Sequence, residues 1–191
     1  VIWKVLEIGA LLFTLLNVWL AVKENIWTWP TGITCVLLTF FVLWHERYYF
    51  NAWLQWLYVA LSIHGWYEWL HGGENHRERH VAYASLRVWI GTLSAGVILT
   101  FVFLKLLQRY APGSTVPFWD ASTTAFSVAG QWLMNMKYIE NWIFWIAVDL
   151  AYVVMYAHGN LPYLAVLNAI LVILCVKGYL DWRKSALAVS A

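Results

Sequence analysis

The sequence predicts an all-α membrane protein of seven transmembrane helices, arranged as two parallel three-helix repeats with one helix between them (3+1+3). Three observations lead there. The 191 residues are 62% hydrophobic and 12% charged, whereas soluble domains are about 45–50% apolar and about 25% charged. Seven apolar runs approach the roughly 20 residues that a helix needs to cross a bilayer core of about 30 Å. A set of aromatic and polar residues also appears twice in the same order, the mark of an internal repeat.

The apolar runs cover about residues 2–22, 26–45, 48–70, 82–106, 118–136, 139–157 and 160–180. Backbone polar groups have no water to bond to in lipid, so each run is expected to be helical. The first run follows Lys4 without a small-residue cleavage site and is expected to be a retained helix, not a signal peptide. Lys23-Glu24-Asn25, His45-Glu46-Arg47, the polar stretch from His71 to His80, and Gln108 to Ser114 with Pro112-Gly113 separate the next runs. Met136-Lys137 and His158-Gly159-Asn160 separate the last three. Pro30, Pro117 and Pro162 fall near helix starts, where proline is tolerated because the first N–H groups have no helical acceptor.

Seven spans put the termini on opposite faces. Lys4, Arg47, Lys105 and Arg109 fall on the N-terminal face. Lys23, Arg77, Arg79, Arg87, Lys137, Lys177, Arg183 and Lys184 fall on the other. The positive-inside rule then places the C-terminus in the cytoplasm and the N-terminus outside.

The repeat is read from three matches. Glu24-Asn25-Ile26-Trp27-Thr28-Trp29 aligns with Glu140-Asn141-Trp142-Ile143-Phe144-Trp145 at an offset of 116. Trp19-Leu20 aligns with Trp132-Leu133 at 113, and Lys23 with Lys137 at 114. Gly65-Trp66-Tyr67-Glu68-Trp69 aligns with Gly178-Tyr179-Leu180-Asp181-Trp182 at 113. Corresponding spans are four crossings apart, so the repeats run parallel. Residues 1–70 are expected to form the first repeat, 71–115 a loop and linker helix, and 116–191 the second repeat. Parallel repeats about an axis normal to the membrane are a transporter architecture.

Net charge is only +2, so nothing points to nucleic acid. Cys35 and Cys175 sit in apolar runs and are expected to pack as small hydrophobes. His71, His76 and His80 with Glu74 and Glu78 are expected to form a solvated loop, since no tight metal-ligand spacing is present. His64 is expected to be a hydrogen-bonded core residue. No phosphate-cradling glycine loop, nucleophile elbow or zincin motif occurs, so neither an enzyme nor a cofactor is expected.

Polar side chains at membrane depth are costly and mark candidate sites. Asn141, Trp145 and Asp149 are spaced by four and share one helical face, with Trp142 three residues from Trp145. Such a face suits a flat, polar and cationic ligand, because an indole attracts a cation by roughly 0.5–2 kcal/mol. Gln131, Gln55 and Asn168 add amides that could complete an aromatic-lined pocket. The bland alternative is that the amides join helices, at about 0.6 kcal/mol per contact. Span three also carries Tyr58, Ser62, Trp66 and Trp69 at spacings of three and four. Trp3, Trp44, Trp53, Trp56, Trp119 and Trp182 are expected in the interfacial belt.

Trp119-Asp120, Gln131-Trp132-Leu133, Lys137-Tyr138-Ile139-Glu140-Asn141-Trp142, Trp145 and Asp149 together resemble the C-terminal half of PnuC-type vitamin transporters. The segment Asn25 to Ile33 and Gly65-Trp66-Tyr67-Glu68-Trp69 resemble the N-terminal half. Tyr152 and the turn Gly159-Asn160-Leu161-Pro162 depart from the family pattern. The resemblance implies a fold like that of the SWEET sugar carriers and a homotrimer in the bacterial inner membrane. It also implies facilitated diffusion of nicotinamide riboside, a form of vitamin B3 used in NAD biosynthesis, made one-way by cytoplasmic phosphorylation. That substrate fits the residues read above, and the candidate substrate residues are Gln131, Asn141, Trp142, Trp145, Asp149, Gln55, Trp66, Tyr67 and Asn168. Thiamine transport within the same family is the first alternative. A membrane receptor that binds a cationic aromatic without transporting it is the second.

Overall fold

The structure, a computed structural model, describes residues 2–111 and 116–189. Among them are seven α-helices: α1 Ile2–Val22, α2 Thr28–His45, α3 Tyr49–His71, α4 Leu86–Tyr110, α5 Pro117–Asn135, α6 Asn141–His158 and α7 Pro162–Val189. A 3-10 turn, Glu74–His76, lies in the loop after α3. The expected turn at Pro112-Gly113 lies outside the described residues. Helices α1, α2, α4 and α7 are long and apolar enough to cross a membrane on length and composition. Helices α3, α5 and α6 have 23, 19 and 18 residues, and even the shortest spans about 27 Å at 1.5 Å per residue. Their sequences include Gln55, Gln131, Asn141 and Asp149, polar residues that reduce hydropathy.

The helices form two units. In the first, residues 1–79, α2 packs against both α1 and α3. In the second, residues 80–191, α5 packs against α4 and α6, and α6 against α7. The two units share their internal geometry at a constant separation of 113 residues. Helices α2 and α6 begin and end in register, as do the C-terminus of α1 with that of α5 and the start of α3 with that of α7.

The turns after α1 and α5 share both capping bonds. After α1, the Asn25 N–H donates to Leu20 O at 2.9 Å and the Glu24 N–H to Ala21 O at 3.0 Å. After α5, Tyr138 donates to Leu133 O and Lys137 to Met134 O, both at 3.0 Å. These are Schellman caps, which satisfy the last carbonyls of a helix through one left-handed residue. That residue is Glu24 (φ 53°) or Lys137 (φ 51°). After α2 the same cap forms around Arg47 (φ 63°), and after α6 the Leu161 N–H donates to Tyr156 O at 2.9 Å around the left-handed Asn160 (φ 55°).

The match corrects the register predicted for the first turn. Lys137 corresponds to Glu24 and not to Lys23, and Asn141 corresponds to Thr28. The identical dipeptides Glu24-Asn25 and Glu140-Asn141 therefore occupy different structural positions: Glu24 caps a helix, whereas Glu140 precedes one.

Two helix ends also differ from expectation. Helix α4 starts at Leu86 and not near residue 82, because Ala82 instead bridges to the α5–α6 turn. Ala82 N–H donates to Lys137 O and Ile139 N–H to Ala82 O, each at 3.1 Å. Ser85 then caps α4 by accepting the Val88 N–H at 3.4 Å. Helix α7 continues to Val189 instead of ending near 180, helped by Lys177–Asp181 (2.8 Å) and Asp181–Lys184 (3.7 Å) pairs along one face.

Glu140 is buried and its Oε2 accepts the Ala84 N–H at 2.9 Å. Glu140→Ala would leave that N–H without its acceptor, and such a loss costs about 1–3 kcal/mol. Reversible unfolding in mixed micelles should show a loss of that size, with Glu140→Gln retaining most of the stability. Wild-type stability in Glu140→Ala would mean that this bond contributes nothing.

Candidate functional site

Helix α6 starts at Asn141, which is fully buried. Its Nδ2 donates to Tyr138 O at 2.6 Å, while its Oδ1 accepts no hydrogen bond from the protein. A buried acceptor left unmatched costs about 1–3 kcal/mol, so a ligand N–H there would recover that cost.

One turn on, Trp145 is half-buried and lies beside Gly130 of α5. A further turn on, Asp149 is buried and its Oδ2 accepts the Cys175 thiol of α7 at 3.7 Å. The predicted face of α6 thus holds an amide, an indole and a carboxyl in line. It fits a planar molecule that carries hydrogen-bonding groups.

Trp142 points elsewhere. It is 1% exposed, and its ring meets Trp182 edge-on with centroids 5.3 Å apart and planes at 85°. A Cβ on Gly178 of α7 would fall 2.6 Å from Trp142 Cε2. The indole is therefore wedged between α6 and α7, and only its Nε1, which finds no protein acceptor, is left for a ligand. Trp29 and Trp69 repeat this pair in the first unit, at 5.2 Å and 88°. Trp182, expected in the interfacial belt, is fully buried, because this edge-on packing encloses it.

On α5, Gln131 is half-buried and donates through Nε2 to Asn135 Oδ1 at 3.1 Å. Asn135 is fully buried and adds an amide that the sequence expectations lack; its spacing of four from Gln131 is the sequence signal for it. Asn168 and Gln55 are counterparts in the two units. Each returns its amide N–H to a carbonyl four residues back, Leu164 O at 2.8 Å and Asn51 O at 3.3 Å.

Trp66 and Tyr67 are exposed on α3, and Tyr67 stacks on His71 at 4.9 Å. His64 is half-exposed and lies 3.8 Å from Glu68, so it is not the core residue expected. Glu68 also pairs with Arg79. The structure therefore gathers Asn141, Trp145 and Asp149 on one face, with Gly130 and Cys175 reaching that face from α5 and α7. Gln55, Trp66 and Tyr67 belong to the first unit.

The profile of a family described as "Nicotinamide mononucleotide transporter" matches residues 4–184. The nicotinamide riboside transporter PnuC of Escherichia coli (strain K12) is 26% identical over 196 residues, covering 90% of this chain and 82% of that protein. The riboflavin/roseoflavin transporter RibM of Streptomyces davaonensis is 23% identical, covering 88% of this chain and 79% of its own. A crystal structure of the vitamin B3 transporter PnuC superposes with a TM-score of 0.76 at 26% identity, over 96% of this chain and 82% of that one.

Proposed function

This chain belongs to the nicotinamide mononucleotide transporter family, and from that premise we propose that it carries nicotinamide riboside across the bacterial inner membrane. Movement is by facilitated diffusion, and phosphorylation in the cytoplasm traps the product. The single observation that carries the substrate assignment is the α6 face, where buried Asn141 offers an unmatched acceptor one turn from the half-buried indole of Trp145. A carboxamide N–H suits the Asn141 acceptor, and a pyridinium ring suits the Trp145 face. Asp149 supplies a carboxyl on the side where the cation lies. Gln131 orients ribose hydroxyls, and Trp142 contributes its Nε1–H. Gln55, Trp66, Tyr67 and Asn168 complete the proposed set.

The seven helices are assigned to a 3+1+3 plan, with residues 1–70 and 116–191 as parallel repeats and 71–115 as the linker. The matched turns 113 residues apart support it. Eight basic residues on the C-terminal face against four on the other support a cytoplasmic C-terminus. The working assembly is a homotrimer.

A neutral flavin is the second substrate class, favoured by the likeness to RibM. Counterflow of labelled nicotinamide riboside in proteoliposomes, with unlabelled thiamine and riboflavin as competitors, decides among them. Exchange of nicotinamide riboside resisted by both competitors is expected. Binding without exchange would make the protein a receptor, and preferential competition by riboflavin would reassign the substrate.

A further inference from the structure

The two units fill the crevice between their first two helices from opposite sides. In the first unit the bulk comes from α1: Asn17 lies against Gly32 of α2, and its Nδ2 is 2.8 Å from where a Cβ on Gly32 would be. In the second unit the corresponding positions are Gly130 on α5 and Trp145 on α6, so the bulk comes from the other helix. A Cβ on Gly130 would lie 3.1 Å from Phe144 Cβ and 3.6 and 3.7 Å from Trp145 Cε2 and Nε1. Any longer side chain there would run into the indole.

The exchange also changes the hydrogen bonding. Asn17 Nδ2 donates to Thr28 O and, at 3.1 Å, to Thr28 Oγ1, while Thr28 Oγ1 donates to Asn17 O at 3.1 Å. Thr28, the first residue of α2, is therefore satisfied from within the protein. Asn141 is the counterpart of Thr28, and glycine at 130 has no side chain with which to reach it. Asn141 Oδ1 accordingly accepts nothing from the protein.

From these contacts we infer that Gly130 is a positioning residue for the substrate site. By carrying no side chain it gives the Trp145 indole its place against α5 and leaves the Asn141 amide oxygen to a substrate. The α1–α2 crevice of the first repeat, with an amide at the equivalent position, is closed to such a ligand. This inference rests on the assignment above of Asn141 and Trp145 to the substrate, and it adds a residue that touches neither the ring nor the amide of that substrate.

The test is an exchange of the two arrangements. Gly130→Asn, Trp145→Gly and the double variant are purified in detergent. Each is measured for thermal midpoint and for binding of labelled nicotinamide riboside. Gly130→Asn should lower the midpoint and weaken binding by about 100-fold, the combined loss of the indole face and the free amide acceptor. The double variant should recover most of the midpoint, because it reproduces the packing of the first unit, but should recover no binding. Additive midpoints would overturn the inference, and that result is read without any ligand.

Gly130→Ala and Gly130→Ser provide a second arm in proteins that stay folded. Both should weaken binding about tenfold, and wild-type affinity in both would also overturn the inference. Wild-type protein that binds no vitamin would instead overturn the transporter assignment, which the midpoint coupling does not depend on.

Discussion

Trp145→Ala is expected to weaken nicotinamide riboside binding by about thirtyfold and Asn141→Ala by about tenfold, with the protein still folded. The first figure is the loss of about 2 kcal/mol for a cation on a partly desolvated indole. The second is the loss of one hydrogen bond at a buried group, about 1–1.5 kcal/mol. Trp145 is half-buried and Gly130 gives it room, so truncating it removes ligand contact more than core. Asn141 also donates to Tyr138 O, and Asn141→Asp, which cannot donate there when ionised, separates that structural bond from the ligand bond. Isothermal titration in detergent measures both variants. Unchanged affinity in Trp145→Ala and Asn141→Ala together would remove α6 from the site.

Gly178→Ala should have the larger effect on folding. The added Cβ would fall 2.6 Å from Trp142 Cε2 and Cζ2 and 2.7 Å from Cη2. Trp142 cannot retreat, because Trp182 meets it edge-on and both indoles are fully enclosed. Overpacking of a tight interior usually costs about 1–3 kcal/mol, and contact with a rigid ring that cannot change rotamer belongs at the upper end. The expected result is a sharp fall in monodisperse yield and thermal midpoint, partly reversed by Trp142→Leu. A wild-type midpoint for Gly178→Ala would show that α6 and α7 separate easily.

Much of this architecture was legible in the sequence because helix ends in this chain carry their own signals. Pro117 and Pro162 open α5 and α7, and charged turn residues close α1, α2 and α5. The Asn141–Trp145–Asp149 face followed from a spacing of four alone. Other features were not legible, for three physical reasons. Ala82 reads as apolar helix, yet pairs as extended chain with a turn more than fifty residues away, and no local pattern reports that partner. The dipeptides Glu24-Asn25 and Glu140-Asn141 are identical but take different backbone conformations, and residue identity alone does not distinguish a capping residue from one that precedes a helix. The fates of Trp142 and Trp182 depend on Gly178, whose importance is the absence of a side chain on a neighbouring helix.

The four left-handed helix caps also bear on hydrophobic thickness. The left-handed position of such a cap is usually glycine, but here it is held by Glu24, Arg47, Lys137 and Asn160. Three of these carry a charge and the fourth an amide, groups that resist entry into hydrocarbon. The residue that stops the helix is therefore also the residue that marks the edge of the lipid. A span built this way cannot lengthen by winding another turn, nor shorten by fraying, without moving a polar group across the boundary. Adaptation to a thicker or thinner bilayer is left to tilt, so membrane thickness should act on this protein through the angles of its helices and not their lengths.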